Sequence, residues 1–83
     1  MRIDWSNRAV KEMRKIDAPQ RRRIVAKIEQ LAADPASLAN MTTQLVGSDY
    51  SRLRVGDYRV IYSIEGNETI FVLHVRHRRE AYD

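Results

Sequence analysis

The sequence predicts an α+β fold in which two helices cover one face of a small antiparallel sheet. Apolar residues recur at helical spacing in the first part of the chain, and from about residue 50 the apolar period changes to two. Neither a pair of amphipathic helices nor a half-apolar sheet can bury its apolar side alone, so the two are expected to pack together. Since 83 residues is the length of one domain, we assign residues 1–83 to a single domain.

The N-terminal part is predicted to form a short strand and then an antiparallel helical hairpin. Polar and apolar residues alternate from Arg2 to Trp5, as they do in a strand. Ser6 is a suitable N-cap for a helix that runs to about Lys15. Asp17-Ala18-Pro19 fits the start of a second helix, which Asp34-Pro35 ends. The connection between the helices is short, which favours the hairpin.

The C-terminal part is predicted to form a three-strand antiparallel meander. Alternating residues indicate strands at Ser51 to Val55, Tyr58 to Ile64 and Thr69 to Val75, with turn residues between them. The N-terminal strand is expected to complete this sheet.

Alternation along these strands predicts a cationic face on the side away from the helices. Phe71, Leu73 and Val75 are expected under the helices, and Val72 on the opposite side. The residues expected on the uncovered face are Arg52, Arg54, Arg59, His74 and Arg76. Such a face is typical of surfaces that bind a phosphate backbone. Like charges that repel one another are not favoured by sheet stability alone.

The overall charge favours an acidic or phosphate-bearing partner. Fifteen Lys and Arg residues against eleven Asp and Glu residues give a net charge of +4, and twelve of the cations are Arg. Arginine binds phosphate and carboxylate through a two-pronged donor group. A solvated surface encoded by a GC-rich genome accounts for this composition equally well.

Several other classes of protein are disfavoured. No run approaches the roughly 18 apolar residues of a membrane span, and no apolar stretch of a signal peptide is visible, so we expect a cytoplasmic protein. The absence of cysteine excludes disulfides and thiolate metal sites. There is no glycine-rich phosphate loop and no serine nucleophile motif. We therefore expect no cofactor and no metal.

The C-terminal segment, residues 74–83, is dense in side chains that can transfer protons or bind phosphate. Imidazole side chains such as those of His74 and His77 can accept and donate protons, and Tyr82 can stack on a base or offer its hydroxyl group. A solvated tail with an aromatic anchor is the alternative interpretation.

Two motifs resemble those of the RelE/ParE toxin superfamily. Residues 51–62, SRLRVGDYRVIY, resemble its core motif, and residues 75–82, VRHRREAY, resemble its C-terminal motif. The opening strand and helices match the same fold, so the resemblance covers nearly the whole chain and implies the RelE-like microbial ribonuclease fold. The arginines and the late tyrosine favour the RelE branch of these type II toxin-antitoxin systems.

The resemblance to RelE implies a ribosome-dependent mRNA endonuclease that cuts in the A site without a metal. The ribose 2′-OH would attack the adjacent phosphate and leave a cyclic phosphate and a free 5′-OH. Carried over by position, the family motifs correspond to Arg52, Arg54, Arg59, Arg76 and Tyr82. The proton-transfer and phosphate-binding chemistry of the C-terminal segment adds His74, His77 and Arg78, which gives two groups of site residues. The catalytic candidates are Arg59, Arg76, Tyr82 and His77, and the RNA or phosphate contacts are Arg52, Arg54, His74 and Arg78.

The best-known RelE toxins often carry lysines where this chain has Arg52 and Arg54. Guanidinium keeps its proton at any accessible pH and is a poor base, so these two arginines are better phosphate clamps. His74 or His77 could supply the base, and Arg76 would stabilise charge or donate a proton.

The resemblance also implies partners: a cognate antitoxin, the ribosome with its mRNA, and promoter DNA indirectly through the antitoxin complex. No membrane partner is expected. A ParE-like inhibitor that binds DNA gyrase is the first alternative function. A nucleic-acid-binding domain without activity is the second.

Overall fold

The computed structural model describes residues 1–80 and confirms the mixed α+β architecture. In chain order the elements are β1 (Arg2–Trp5), α1 (Asn7–Arg14), α2 (Ala18–Ala33), a 3₁₀ helix (Pro35–Met41), β2 (Thr42–Gln44), β3 (Ser51–Val55), β4 (Tyr58–Glu65) and β5 (Thr69–His77). The strands form one sheet in the order β1-β5-β4-β3-β2. No helix within residues 1–80 is long and apolar enough to cross a membrane.

The sheet contains the predicted meander and one strand more than predicted. β3, β4 and β5 pair antiparallel in sequence order, and β1 completes the sheet as a parallel neighbour of β5. The additional strand, β2, is antiparallel to β3 at the sheet edge. It has three residues and directly follows the 3₁₀ helix, so it is too short to show a two-residue period.

Ser6 confirms its predicted role and also ties α1 to the sheet. Its hydroxyl accepts a hydrogen bond from the Ala9 N–H at 2.9 Å, as an N-cap does. The same hydroxyl donates to the Leu73 carbonyl at 2.6 Å, and the Ser6 N–H donates to the Val72 carbonyl at 2.9 Å. The start of α1 is therefore held against β5, and the helix runs beside the part of β5 that extends beyond β1.

The core lies between the helices and one face of the sheet. Ile24, Ile28 and Leu31 of α2 are almost completely buried in one cluster with Ala9 and Met13 of α1. The strand residues of this cluster are Leu53, Val55, Val60, Tyr62, Ile70, Val72 and Val75. Both helices therefore pack on the same face, and the other face lies away from this core.

A β-bulge in β5 changes which of its side chains face the helices. Tyr62 pairs with Val72, whereas its neighbour Ile61 pairs with His74. Leu73 is therefore the extra residue of the bulge, and the alternation of faces shifts at this point.

The predicted faces of Phe71 and Val72 in β5 were wrong because of this bulge. Val72 is completely buried in the core, whereas Phe71 lies opposite Ser63 on the other face, and Leu73 is only half-buried. A strict period of two cannot locate a bulge. The predicted faces are therefore wrong for residues before the bulge and correct for residues after it. His74 and Arg76 follow the bulge and lie on the predicted face.

Candidate functional site

Three arginines form a row across β3, β4 and β5 on the face away from the helices. Arg54 pairs with Arg59, and Arg59 pairs with Arg76. The Cβ atoms of directly opposed residues lie about 4.5–5.5 Å apart, and like charges at such positions destabilise a sheet. A bound anion would offset this repulsion, so the arginine row, as we call these three residues, is suited to a phosphate ligand.

A second row lies beside the arginine row on the same face. Arg52 pairs with Ile61, and Ile61 pairs with His74. The half-buried Ile61 side chain thus lies between the Arg52 guanidinium and the His74 imidazole in this row. The two rows together place all five residues predicted for the uncovered face on one surface, which we call the cationic face.

The guanidinium groups of Arg59 and Arg76 are held by different acceptors. Arg59 Nη1 donates to the carbonyl oxygens of Gly56 at 3.0 Å and Tyr58 at 2.9 Å, so this side chain turns towards the β3–β4 turn. Arg76 Nε lies 3.7 Å from Glu12 Oε2 on α1. These contacts reduce the repulsion within the arginine row, and a bound phosphate would compete for the same donors.

The β3–β4 turn places Arg78 beside the arginine row. Gly56 adopts a φ of +57° at the first position of this two-residue turn, which glycine tolerates. The next residue, Asp57, accepts the Arg78 N–H on its carbonyl oxygen at 2.7 Å, and its carboxylate Oδ1 lies 3.7 Å from Arg78 Nε. A cleft of about 450 Å³ beside the turn is lined by the cations Arg23, Lys27, Arg54, Arg59 and Arg78.

His77 lies on the other side of the sheet from the arginine row. It pairs with Tyr58, whose ring it meets edge-on with a centroid distance of 5.5 Å. The His77 Nδ1 accepts the Arg79 N–H at 3.3 Å. A hollow of about 550 Å³ is lined by His77 together with Ile16 and the core residue Val75. The structure therefore separates the two histidines that the sequence leaves as alternative bases.

Glu12 of α1 contacts the cationic face, although sequence reasoning does not single it out. Its Oε1 accepts the Val75 N–H at 2.9 Å and lies 3.6 Å from His74 Nδ1, while Oε2 faces Arg76. A single glutamate on an amphipathic helix has the pattern of a solvated charge. The contact depends on how α1 lies against β5, so no local sequence signal could identify it.

Tyr82 is the one predicted site residue not yet placed, and the sequence predicts no metal in the site. Tyr82 lies outside the described residues. In the part of the chain that the structure describes, no group of three or more His, Asp or Glu side chains is arranged to hold a metal ion.

Comparison with known proteins identifies a family. Residues 3–82 match the sequence model described as "ParE toxin of type II toxin-antitoxin system, parDE". No curated protein matches the chain.

Solved structures of RelE toxins in complex with RelB antitoxins have the same fold. The RelE-RelB complex of Pyrococcus horikoshii matches with 28% identity and a TM-score of 0.80 over 96% of this chain and 97% of that chain. The intact E. coli RelBE complex matches with 29% identity and a TM-score of 0.73 over 92% and 94%. The complex from Methanococcus jannaschii matches with 27% identity and a TM-score of 0.77 over 96% and 95%. Because the family match spans almost the whole chain, this protein belongs to the RelE/ParE superfamily and is a toxin of a type II toxin-antitoxin system.

Proposed function

We propose that this toxin is a ribosome-dependent endonuclease that cuts mRNA in the A site. The arginine row carries the proposal, because three adjacent cations on an uncovered sheet face suit an RNA phosphate in a reaction that increases its negative charge. The similarity to RelE toxins at 27–29% identity supports the same branch. The ParE-like alternative, inhibition of DNA gyrase by binding, is not favoured by these structural relatives.

The proposed reaction needs no metal. The ribose 2′-oxygen attacks the adjacent phosphorus, the bond from phosphorus to the 5′-oxygen breaks, and the products are a 2′,3′-cyclic phosphate and a 5′-OH. Arg59 and Arg76 stabilise the charge that develops on the phosphate oxygens. Arg52, Arg54 and Arg78 hold neighbouring phosphates through charge-assisted hydrogen bonds. In this proposal Tyr82 stacks on or orients the cleaved nucleotides, as the resemblance to RelE implies.

A cognate antitoxin is the proposed protein partner in a cytoplasmic complex. The relatives from P. horikoshii, M. jannaschii and E. coli are each seen with an antitoxin named RelB or as RelBE. We expect this toxin to meet promoter DNA through that antitoxin, and to act on mRNA at the ribosome when it is released.

Primer extension on a reporter mRNA tests the proposal. The purified toxin is incubated with the mRNA in the presence and in the absence of translating ribosomes, next to Arg76→Ala and the exposed helix variant Arg22→Ala. We expect cuts within codons that require ribosomes, persist with Arg22→Ala and disappear with Arg76→Ala.

A second mRNA with a 2′-deoxy nucleotide at the observed cut tests the chemistry. It should stay intact at that site, because the nucleophile is missing. Intact wild-type message on ribosomes would refute the endonuclease, and inhibition of gyrase supercoiling by the same preparation would then support the ParE-like alternative.

A further inference from the structure

His74 has a buried ring nitrogen that needs a partner. Within residues 1–80, its Nδ1 is the buried side-chain polar atom that makes no direct hydrogen bond. The nearby Glu12 Oε1 lies 3.6 Å away, slightly beyond hydrogen-bonding distance. Both side chains are largely buried, at 17% and 22% exposure, so they meet in a site where an unpaired polar atom is costly. A shift of a few tenths of an ångström would complete the bond.

The surroundings of this nitrogen determine which tautomer of neutral His74 is stable. Glu12 Oε1 accepts the Val75 N–H at 2.9 Å, and this carboxylate oxygen also has lone pairs available to the nearby His74 Nδ1. An unprotonated Nδ1 would point its own lone pair at a carboxylate, whereas an Nδ1–H is attracted to it. Neutral His74 therefore carries its proton on Nδ1 and has a lone pair on Nε2.

We propose that Glu12 is a positioning residue that holds His74 as the Nδ1–H tautomer, so that His74 Nε2 is the base of the RNA cleavage. This inference rests on the proposed endonuclease function and resolves which histidine acts in it. It assigns a role to α1, which the motifs of the sequence leave out of the site.

His77 has the opposite arrangement. Its Nδ1 accepts the Arg79 N–H at 3.3 Å, so the neutral ring carries its proton on Nε2 and has no lone pair left for a base. It also lies on the helix side with Tyr58, away from the arginine row. His74 shares its face with that row, and Arg76 contacts the same Glu12 carboxylate at 3.7 Å.

The proton balance of the step is complete. His74 Nε2 takes the proton of the ribose 2′-OH as the 2′-oxygen forms its bond to phosphorus. The 5′-oxygen leaves with the electron pair of the broken bond and takes a proton from water. The imidazolium that forms is stabilised by the Glu12 carboxylate, and it returns its proton to solvent after cleavage.

Long-range ¹H–¹⁵N NMR of the free toxin tests the tautomers without any activity assay. At alkaline pH, where imidazole is neutral, the spectra should show Nδ1–H for His74 and Nε2–H for His77. The His74 pattern should persist in Glu12→Gln, which keeps an oxygen acceptor, and should become a mixture of tautomers in Glu12→Ala. An Nε2–H tautomer for His74 in the wild-type protein would overturn the proposal.

Single-turnover cleavage on ribosomes tests the catalytic consequence. His74→Gln should lower the rate by about 100-fold or more, the usual range for a general base. Glu12→Ala should lower it by at least about tenfold, because an unoriented imidazole is a poorer base. Glu12→Gln should lie between Glu12→Ala and the wild type, and the exposed-site control Glu29→Ala should match the wild type.

The two assays separate a failure of this inference from a failure of the proposed function. If the wild type cuts RNA and His74→Gln cuts equally fast, the base assignment is overturned while the endonuclease stands. If the wild type cuts no RNA on ribosomes, the endonuclease and the base role are both refuted. Urea unfolding of each variant confirms that the rates are those of folded protein.

Discussion

Replacing Glu12 with alanine is expected to destabilise the fold by about 2 kcal/mol. The Val75 N–H lies on the side of β5 where β1 has ended, and the Glu12 carboxylate accepts it at 2.9 Å. Val75 is only 2% exposed, so in the alanine variant its N–H has no acceptor and little access to water. An unsatisfied buried donor costs about 1–3 kcal/mol.

The contacts of Glu12 with His74 and Arg76 add less to this loss. His74 and Arg76 lie 3.6 Å and 3.7 Å from the two carboxylate oxygens, beyond hydrogen-bonding distance, so each contact contributes at most about 1 kcal/mol. A total near 2 kcal/mol corresponds to a decrease in Tm of roughly 10 °C in a domain of this size.

Urea unfolding followed by circular dichroism measures this loss. Glu12→Gln keeps an oxygen acceptor for the Val75 N–H and for His74, so it should lose less than about 1 kcal/mol, the most that the lost ion pair with Arg76 contributes. Glu29→Ala, at an exposed position of α2, should stay within about 0.5 kcal/mol of the wild type. The reasoning would be refuted if Glu12→Ala were as stable as the wild type. It would also be refuted if Glu12→Gln were no more stable than Glu12→Ala.

Three further predictions concern stability. Burial raises the pKa of Tyr62, even though hydrogen bonds with Ser51 and Thr42 oppose the shift. The contribution of the Tyr62 hydroxyl to folding stability is therefore present below about pH 10, the ordinary pKa of tyrosine, and is lost as the pH rises through the raised pKa. Tyr62→Phe should therefore lose less stability than the wild type in urea unfolding between about pH 9 and pH 11; an equal loss would contradict this. Gly56→Ala and Gly66→Ala should each cost about 1–2 kcal/mol, because both glycines have positive φ and only a movable guanidinium end approaches Gly56; a much larger cost at Gly56 would show that this neighbour cannot move. Ile28→Ala should cost about 2–5 kcal/mol by leaving a cavity in the core, measured in the same way, and a loss under about 1 kcal/mol would contradict its burial.

The parts of the fold that depend on local chemistry were predictable from sequence. Ser6 caps α1 through its own side chain, and the Gly56-Asp57 turn joins two strands whose alternation is regular. The cationic face followed from that alternation, since Arg52, Arg54 and Arg59 lie on strands without a bulge.

The remaining features depend on contacts between distant segments. The extra residue Leu73 is visible only in the pairing of β5 with β4, and β2 is a strand only because it lies beside β3. Likewise, Glu12 meets His74 and Arg76 because the Ser6 hydroxyl holds the start of α1 to the Leu73 carbonyl. A sequence pattern reports periods and caps, and it does not report which helix end lies against which strand edge.

The single-turnover rate of Arg59→Ala on programmed ribosomes tests the central claim most directly. Arg59 is the middle member of the arginine row and pairs with both of its neighbours. Loss of a group that stabilises transition-state charge should lower the rate by about 100-fold to 1,000-fold. Arg22→Ala, which removes the same charge from an exposed position of α2, should cut within about twofold of the wild type. Equal rates for the two variants would contradict the assignment of the cationic face as the site of RNA cleavage.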